Sequence, residues 1–343
     1  MVLTKKIALL GFGNAGQAFA KMLLQKKEAI KSLYGYEVVV TAIATNSKGN
    51  LLDENGIDLE EVLEDLEKYG KFCNEKQLTT KTTMEIVKEA DYDVLIEMTP
   101  LNIFTGQPAI DHIETAFKRK KDAITANKGP IAWKFKELRK MAKENGVKFF
   151  YETTVMDGTP VFNFAEKTLQ MATVTEVSGI LNSTTNFILE ELAAGAEYDD
   201  IMARGREMGF IEADPAMDIE GYDAAAKITA LLNVLMDAGI TPDMVDRKGI
   251  EDITVEDIKA AAERGNVIKL ICKGTRDEDG IVKASVKPEE VPKGDMLASI
   301  DSTTSVVSIT TDLMKTVSVV EHQPEIEQTA YGIFGDLLRV LSE

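Results

Sequence analysis

The stretch Lys6-Ile7-Ala8-Leu9-Leu10-Gly11-Phe12-Gly13-Asn14-Ala15-Gly16 decides the fold of this chain. A short apolar run enters three glycines spaced G-x-G-x-x-G. Helical periodicity then takes over from Gln17 to Leu33, with Phe19, Met22, Leu23 and Ile30 apolar and lysines opposite. A buried strand feeding a glycine turn and a helix is the setting in which this pattern carries chemistry. The first glycine permits the tight turn, the second lets a pyrophosphate approach the backbone, and the third lets helix and strand touch. The helix N-terminus offers free N–H groups to the anion. Gly11, Phe12, Gly13, Asn14, Ala15 and Gly16 are therefore the expected pyrophosphate cradle of an N-terminal Rossmann dinucleotide-binding domain.

Working outward, strand and helix alternate. Glu37–Ala44 is β-branched and continuous, as a strand covered on both faces is. Thr83–Ala90 predicts a helix, Asp93–Met98 a strand, Pro108–Lys120 a helix, Ala123–Thr125 a strand, Ile131–Asn145 a helix and Val147–Tyr151 a strand. Such alternation means a parallel sheet with crossover helices. After about Glu152 the pattern changes. Strands at Thr173–Leu181, Val267–Lys273, Ile281–Lys287, Ser305–Thr310 and Thr316–Val320 combine with helical patterns at Val161–Thr168, Asn186–Ala194, Asp199–Gly209 and Tyr222–Ala238. The expected architecture is an α/β chain with three parts. Residues 1–151 form the dinucleotide-binding domain, residues 152–322 an α+β catalytic and dimerisation domain with a mixed sheet, and residues 323–343 a C-terminal helix returning to the first domain.

Composition excludes several classes. Across 343 residues there are 39 basic and 57 acidic side chains, a net charge of −18. That sign repels phosphate backbones and anionic lipid, so nucleic acid and membrane are not expected partners. No apolar run reaches the ~18 residues of a membrane span. Cys73 and Cys272 stand far apart, which fits a reducing, cytoplasmic setting. With only His112 and His322, structural zinc and a histidine-based triad lack ligands and bases.

Two groups of residues carry candidate chemistry. Thr99-Pro100 and Asn127-Lys128-Gly129-Pro130 each follow a strand of the first domain, and open parallel sheets bind ligands beyond those carboxyl ends. Thr99 and Lys128 are therefore candidates beside a coenzyme, although a turn lysine is an equally ordinary reading of Lys128. In the second half, Asp223 and Lys227 lie four apart on one helix face behind the small residues Ala224, Ala225 and Ala226. Spacing alone is also that of a plain surface ion pair worth a few tenths of a kcal/mol. The second strand runs out into Ala44-Thr45-Asn46-Ser47-Lys48 with no carboxylate for an NAD ribose. Lys48 can meet a 2′-phosphate, although an ordinary solvated loop lysine is an equally good reading, and Asn46 and Ser47 can bond either ribose, so the lean is to NADP over NAD.

These residues resemble homoserine dehydrogenase, in order, over nearly the whole chain. Besides the glycine loop, the matching blocks are Thr125 to Pro130, Glu152-Thr153-Thr154-Val155 with Gly158 and Pro160, and Ser178 to Asn186. Gly209 through Lys227 resembles G-[YF]-x-E-x-D-P-x-x-D-x-x-G-x-D-x-x-x-K at every fixed position. The tone is similar to archaeal-type members without a regulatory domain. The resemblance implies NAD(P)-dependent interconversion of L-homoserine and L-aspartate 4-semialdehyde in threonine and methionine biosynthesis, by a homodimer. It implies Lys227 as proton donor and acceptor, with Lys128 supporting it beside the nicotinamide. Glu212, Asp218 and Asp223 would hold the substrate amino group and orient the lysine, and Thr184 would touch substrate. Glu152, with the carbonyls of Val155, Asp157 and Thr159, would bind a monovalent cation, sodium.

The chain departs from the family at Ser183, where a glycine is usual, at Phe210, where tyrosine is common, and at His322 to Glu327, where a glycine-rich turn is expected. These departures imply a change in coenzyme affinity, coenzyme preference or substrate. Two other readings stand beside the main one: a paralogous dehydrogenase of another hydroxy or oxo amino acid, and a non-catalytic nucleotide sensor.

Overall fold

A computed structural model describes residues 2–211 and 214–342. Backbone proximity divides the chain into two units, residues 1–160 with 325–343, and residues 161–324.

In the first unit the alternation reads β1 (Leu3–Leu10), α1 (Asn14–Tyr34), β2 (Tyr36–Ala44), β3 (Asn50–Leu52), α2 (Leu59–Tyr69), β4 (Leu78–Thr79), α3 (Thr83–Glu89), β5 (Val94–Glu97), α4 (Ala109–Lys118), β6 (Asp122–Thr125), α5 (Lys128–Asn145) and β7 (Phe149–Phe150). The sheet order is β4-β3-β2-β1-β5-β6-β7. From β2 to β7 all neighbours run parallel, and β3 and β4 add an antiparallel edge. β1 shows why its sequence is apolar throughout. Ile7 and Leu9 join the core under α1, while Ala8 and Leu10 point to the opposite core with Ile113, Phe117 and Leu138. Full burial of side chains like Ile7 and Leu9 stabilises by roughly 1.5–3 kcal/mol each. α1 stops at Gly35 (φ 72°), whose N–H closes on the Lys31 carbonyl.

The second unit contains α6 (Val161–Thr168), β8 (Val174–Ile180), α7 (Ser183–Ala193), α8 (Tyr198–Glu207), α9 (Ala216–Ile219), α10 (Tyr222–Met236), β9 (Asp246–Arg247), α11 (Val255–Glu263), β10 (Asn266–Arg276), β11 (Val282–Pro292), β12 (Ser305–Thr311) and β13 (Lys315–Glu321). Its mixed sheet runs β13-β12-β8-β10-β11-β9. All pairs are antiparallel except β11 with β9. The last helix, α12 (Ile326–Ser342), belongs to the first unit and packs Ile333, Leu337 and Leu341 into the core beneath α1.

The first unit runs on to Pro160, where the sequence places the boundary after Tyr151. The cause is a polar seam to α12. The buried Asp336 carboxylate accepts the Glu152 N–H at 2.9 Å, and the Thr329 hydroxyl donates to Asp157 at 2.8 Å. Gly158 approaches α12 so closely that a Cβ there would stand 1.9 Å from the Gln328 carbonyl oxygen. Among the described residues, no helix is long and apolar enough to cross a membrane.

Candidate active site

In the first unit the predicted coenzyme residues gather at the carboxyl edge of the parallel strands. Gly11 has φ 90°, and a Cβ on it would lie 2.3 Å from the Met98 carbonyl oxygen just past β5. Only glycine fits that corner. Around Gly13, by contrast, a Cβ would meet nothing within 4 Å. Gly13 is also the N-cap of α1, and no side chain caps that end. Open space in front of uncapped N–H groups is what a pyrophosphate needs, so this chain's residues fit a dinucleotide. Phe12 contributes backbone only, because its ring is buried and packs edge-on against Phe72 at 6.0 Å.

The loop after β2 starts beside the glycine turn, where the Gly11 N–H donates to the Ala44 carbonyl at 2.8 Å. Thr45 organises it, accepting from the Lys48 N–H and donating to the Gly49 carbonyl. Asn46 and Ser47 are exposed and Lys48 is half-buried. No carboxylate stands in this turn.

Thr99 and Lys128 are held by a network that sequence reasoning missed. Glu97, the last residue of β5, is completely buried. Its carboxylate accepts the Thr99 N–H at 3.2 Å, the Thr99 hydroxyl, and the Thr125 hydroxyl at 3.5 Å. His112 Nδ1 stands 3.5 Å away. The Asn127 side chain donates to the Thr99 carbonyl at 3.0 Å and accepts from the Gly129 N–H at 2.9 Å. That cap starts α5 at Lys128 rather than at Ile131, since Pro130 is tolerated in a first turn. A carboxylate thus fixes both loops at this edge of the sheet.

In the second unit, four predicted residues converge. Lys227 on α10 places Nζ 3.0 Å from Asp223 Oδ2 and 2.8 Å from the Leu181 carbonyl. Their side chains are only 22% and 14% exposed, which separates this pair from an ordinary surface bridge. Asn182 is the hub. Its side-chain nitrogen donates to Asp218 at 2.6 Å and to Asp223 at 3.0 Å. Its oxygen accepts the Thr185 N–H at 2.9 Å, capping α7. Burial, then the neighbouring Asp223 charge, pushes the Asp218 carboxyl above its ordinary range; Asn182, Lys227 and Thr184 pull it back. Thr184 is buried against this cluster, and Ser183 is the first residue of α7. Glu212, the remaining predicted carboxylate, lies outside the described residues. Cys272 is buried, and burial drives its thiol up to about 12, so it offers no thiolate nucleophile.

The predicted cation residues lie in the first unit. Glu152 is buried, and Met156 and Asp157 both take left-handed backbone (φ 57° and 48°), curling the chain so that the Thr159 N–H reaches the Met156 carbonyl at 2.8 Å. The buried Asp336 carboxylate, holding the Glu152 N–H, belongs to this bend with Glu152 and Asp157. Among the described residues, no cluster of three or more His, Cys, Asp or Glu could hold a metal. His322 to Glu325 joins β13 to α12, with Gln323 in left-handed backbone (φ 45°) in place of the expected glycine turn.

A glycine cradle at the edge of a parallel sheet, with a lysine–carboxylate cluster in the following unit, defines an NAD(P)-dependent oxidoreductase acting on a CH–OH group. The homoserine dehydrogenase, NAD binding domain family model matches residues 11–152, and the homoserine dehydrogenase model matches residues 160–338. The chain belongs to the homoserine dehydrogenase family. It is 40% identical to a homoserine dehydrogenase of Methanocaldococcus jannaschii, covering 97% of this chain and 98% of that one. It is 32% identical to the NAD(+)-dependent homoserine dehydrogenase of Pseudomonas canavaninivorans, covering 98% and 96%. A hyperthermophilic archaeal homoserine dehydrogenase in complex with NADPH superposes with a TM-score of 0.83 at 26% identity, covering 99% of each chain.

Proposed function

We propose that Lys227 moves the proton in the interconversion of L-homoserine and L-aspartate 4-semialdehyde. Its ammonium protonates the aldehyde oxygen in the reducing direction, and its amine takes the hydroxyl proton in reverse. Bound nicotinamide supplies or accepts the hydride. Asp223 keeps Lys227 charged and aimed. Asp218, with Thr184 and Glu212, holds the substrate's amino group, a charge-assisted contact stronger than a neutral one. Lys128 serves the nicotinamide end of the coenzyme with Thr99, and Gly11 through Gly16 hold the pyrophosphate.

The observation that carries this reading is the fixed lysine: Nζ tied at 3.0 Å to a half-buried aspartate and at 2.8 Å to a main-chain carbonyl. The test is Lys227→Ala. The turnover number is expected to fall about 100-fold or more, while coenzyme affinity stays within about twofold. Retention of more than about a tenth of the rate would refute general acid–base work by this residue.

Lys48 and the absent acidic residue after β2 support NADP over NAD; Michaelis constants for both coenzymes decide it, and a clear preference for NADH overturns it. Glu152 with the carbonyls of Val155, Asp157 and Thr159 is the proposed sodium site, checked by titrating activity with sodium in the chain and in Glu152→Ala. We extend the reading to a cytoplasmic homodimer joined through the second unit's sheet, which sedimentation and fractionation of cells test.

A further inference from the structure

The second unit holds another desolvated ammonium, apart from the catalytic cluster and beside an open space. Lys269, near the start of β10, is 4% exposed. Its Nζ donates to the Asn186 side-chain oxygen at 2.9 Å and to the Ile300 carbonyl at 2.6 Å. Both acceptors are neutral. The nearest carboxylate, Asp301, stands at 3.9 Å, beyond hydrogen-bond reach, and its side chain is 65% exposed. One of the three ammonium protons therefore has no hydrogen-bond acceptor among the described residues. A buried cation whose counter-charge is solvent-exposed and not hydrogen-bonded to it is costly; burial pulls the proton affinity of Lys269 down, and the Asp301 and Glu190 charges pull it back in part.

Lys269 lines a cavity of about 510 Å³ enclosed by α7, α11 and β10. That volume lies within the roughly 300–1,000 Å³ of small-molecule sites. Leu189, Ile258 and Val267 give it apolar walls. Lys259 and Lys293 stand exposed at its rim, with no ion pair among the described residues. Of the acidic residues that share the wall, Glu190 is already engaged by the Ser302 N–H at 2.5 Å, and Glu197 and Asp301 are exposed to water. Three lysines and three carboxylates thus share the wall of this hollow, and among these lysines Lys269 alone is buried.

We propose that this cavity binds a small carboxylate with an apolar body, its carboxylate on Lys269 and its hydrocarbon against Leu189, Ile258 and Val267. The ligand would supply a hydrogen-bonded carboxylate where Asp301, at 3.9 Å, falls short of a hydrogen bond, and a charge-assisted contact in a desolvated wall is a strong one.

Isothermal titration calorimetry of the full chain with isocaproate and with its uncharged amide tests this. Isocaproate is expected to saturate one site per chain below about 10 mM, and the amide to bind about tenfold or more weakly. Lys269→Met should abolish the difference between them. Should that variant fail to fold, Ala262→Trp decides, since it hangs a ring over the mouth from an exposed position in the last turn of α11 and should weaken isocaproate about tenfold. No saturation with isocaproate, equal binding of acid and amide, or unchanged affinity in Ala262→Trp overturns the proposal.

Discussion

Asn182→Ala removes the residue on which the lysine–carboxylate cluster turns, and its cost can be worked from the structure. Asn182 is buried, and its amide nitrogen serves two carboxylates, Asp218 at 2.6 Å and Asp223 at 3.0 Å. Hydrogen bonds to charged groups contribute about 1.5–3 kcal/mol each. Lys227 stays beside Asp223, and Thr184 stays beside Asp218. The low end therefore applies, about 3 kcal/mol for the two. Loss of the α7 cap adds about 1 kcal/mol. Water entering past the partly exposed Asp223 returns part of this, leaving about 3 kcal/mol. For a unit of this size that is a fall of roughly 6–12 °C in the unit's melting temperature. Urea titration followed by circular dichroism measures the free energy, and calorimetry the midpoint. Asn182→Asp should be worse, because a third carboxylate would face two others. A loss below about 1 kcal/mol in Asn182→Ala would mean that Asp218 and Asp223 do not depend on this donor, and the hub assignment would fail.

The Asp218 carboxyl is raised above its ordinary 3.8, so the folded chain binds that proton more tightly than the unfolded one, and stability falls as pH rises from about 4 through the raised value. Asp218→Asn should lack that fall; parallel urea-midpoint profiles for both chains between about pH 4 and 8 would count against it. Gly11→Ala should cost about 1–2 kcal/mol in backbone strain alone, besides its collision with Met98, whereas Gly13→Ala should spare stability and weaken only the coenzyme; denaturation and coenzyme fluorescence titrations separate the two, and equal stability losses would contradict the contrast. Glu97→Gln keeps the shape but turns one acceptor oxygen into a donor facing the Thr99 and Thr125 donors, so it should cost about 1–3 kcal/mol and raise the coenzyme Michaelis constant more than it lowers turnover. An unchanged Michaelis constant would show that this network does not set the coenzyme loops.

What could be read in advance was periodic or local. β1 through α1 is legible because glycine spacing, an apolar run and helical periodicity agree over neighbouring residues. Between Ala44 and Thr83 the expectation holds no element, yet β3, α2 and β4 form there. The two strands are only three and two residues long, too short for any period to show. α2 does carry signals, with Leu59, Val62 and Leu66 on one face, Asp58 capping and Gly70 stopping. α11 likewise has a capping box between Thr254 and Asp257. The polar hubs are different in kind. Asn182 reaches partners 36 and 41 residues away, and Asp336 meets Glu152 across 184 residues. Glu97 lies at the end of an apolar strand, and only the pairing of β5 with β6 gives its charge the Thr125 hydroxyl. No local pattern marks such residues, because the contact that gives them meaning is made by the fold.

The charge balance of the cluster explains why an amino-bearing substrate suits it. Among the described residues, the Asp218 and Asp223 carboxylates meet on the Asn182 amide, with the Lys227 ammonium beside Asp223. Burial first, and then the negative charge of Asp223, raises Asp218. A substrate ammonium seated there would offset that charge and lower Asp218 again, so binding and proton release would be linked. A plain hydroxy acid brings a carboxylate and no ammonium, and would add to the negative charge beside Asp218. The lysine–aspartate spacing on α10 is common to any helical ion pair; what makes it selective is the second aspartate, brought in by Asn182 from outside the helix. Under the proposed assignment, discrimination against substrates lacking the amino group would rest on Asp218 more than on the Asp223–Lys227 pair.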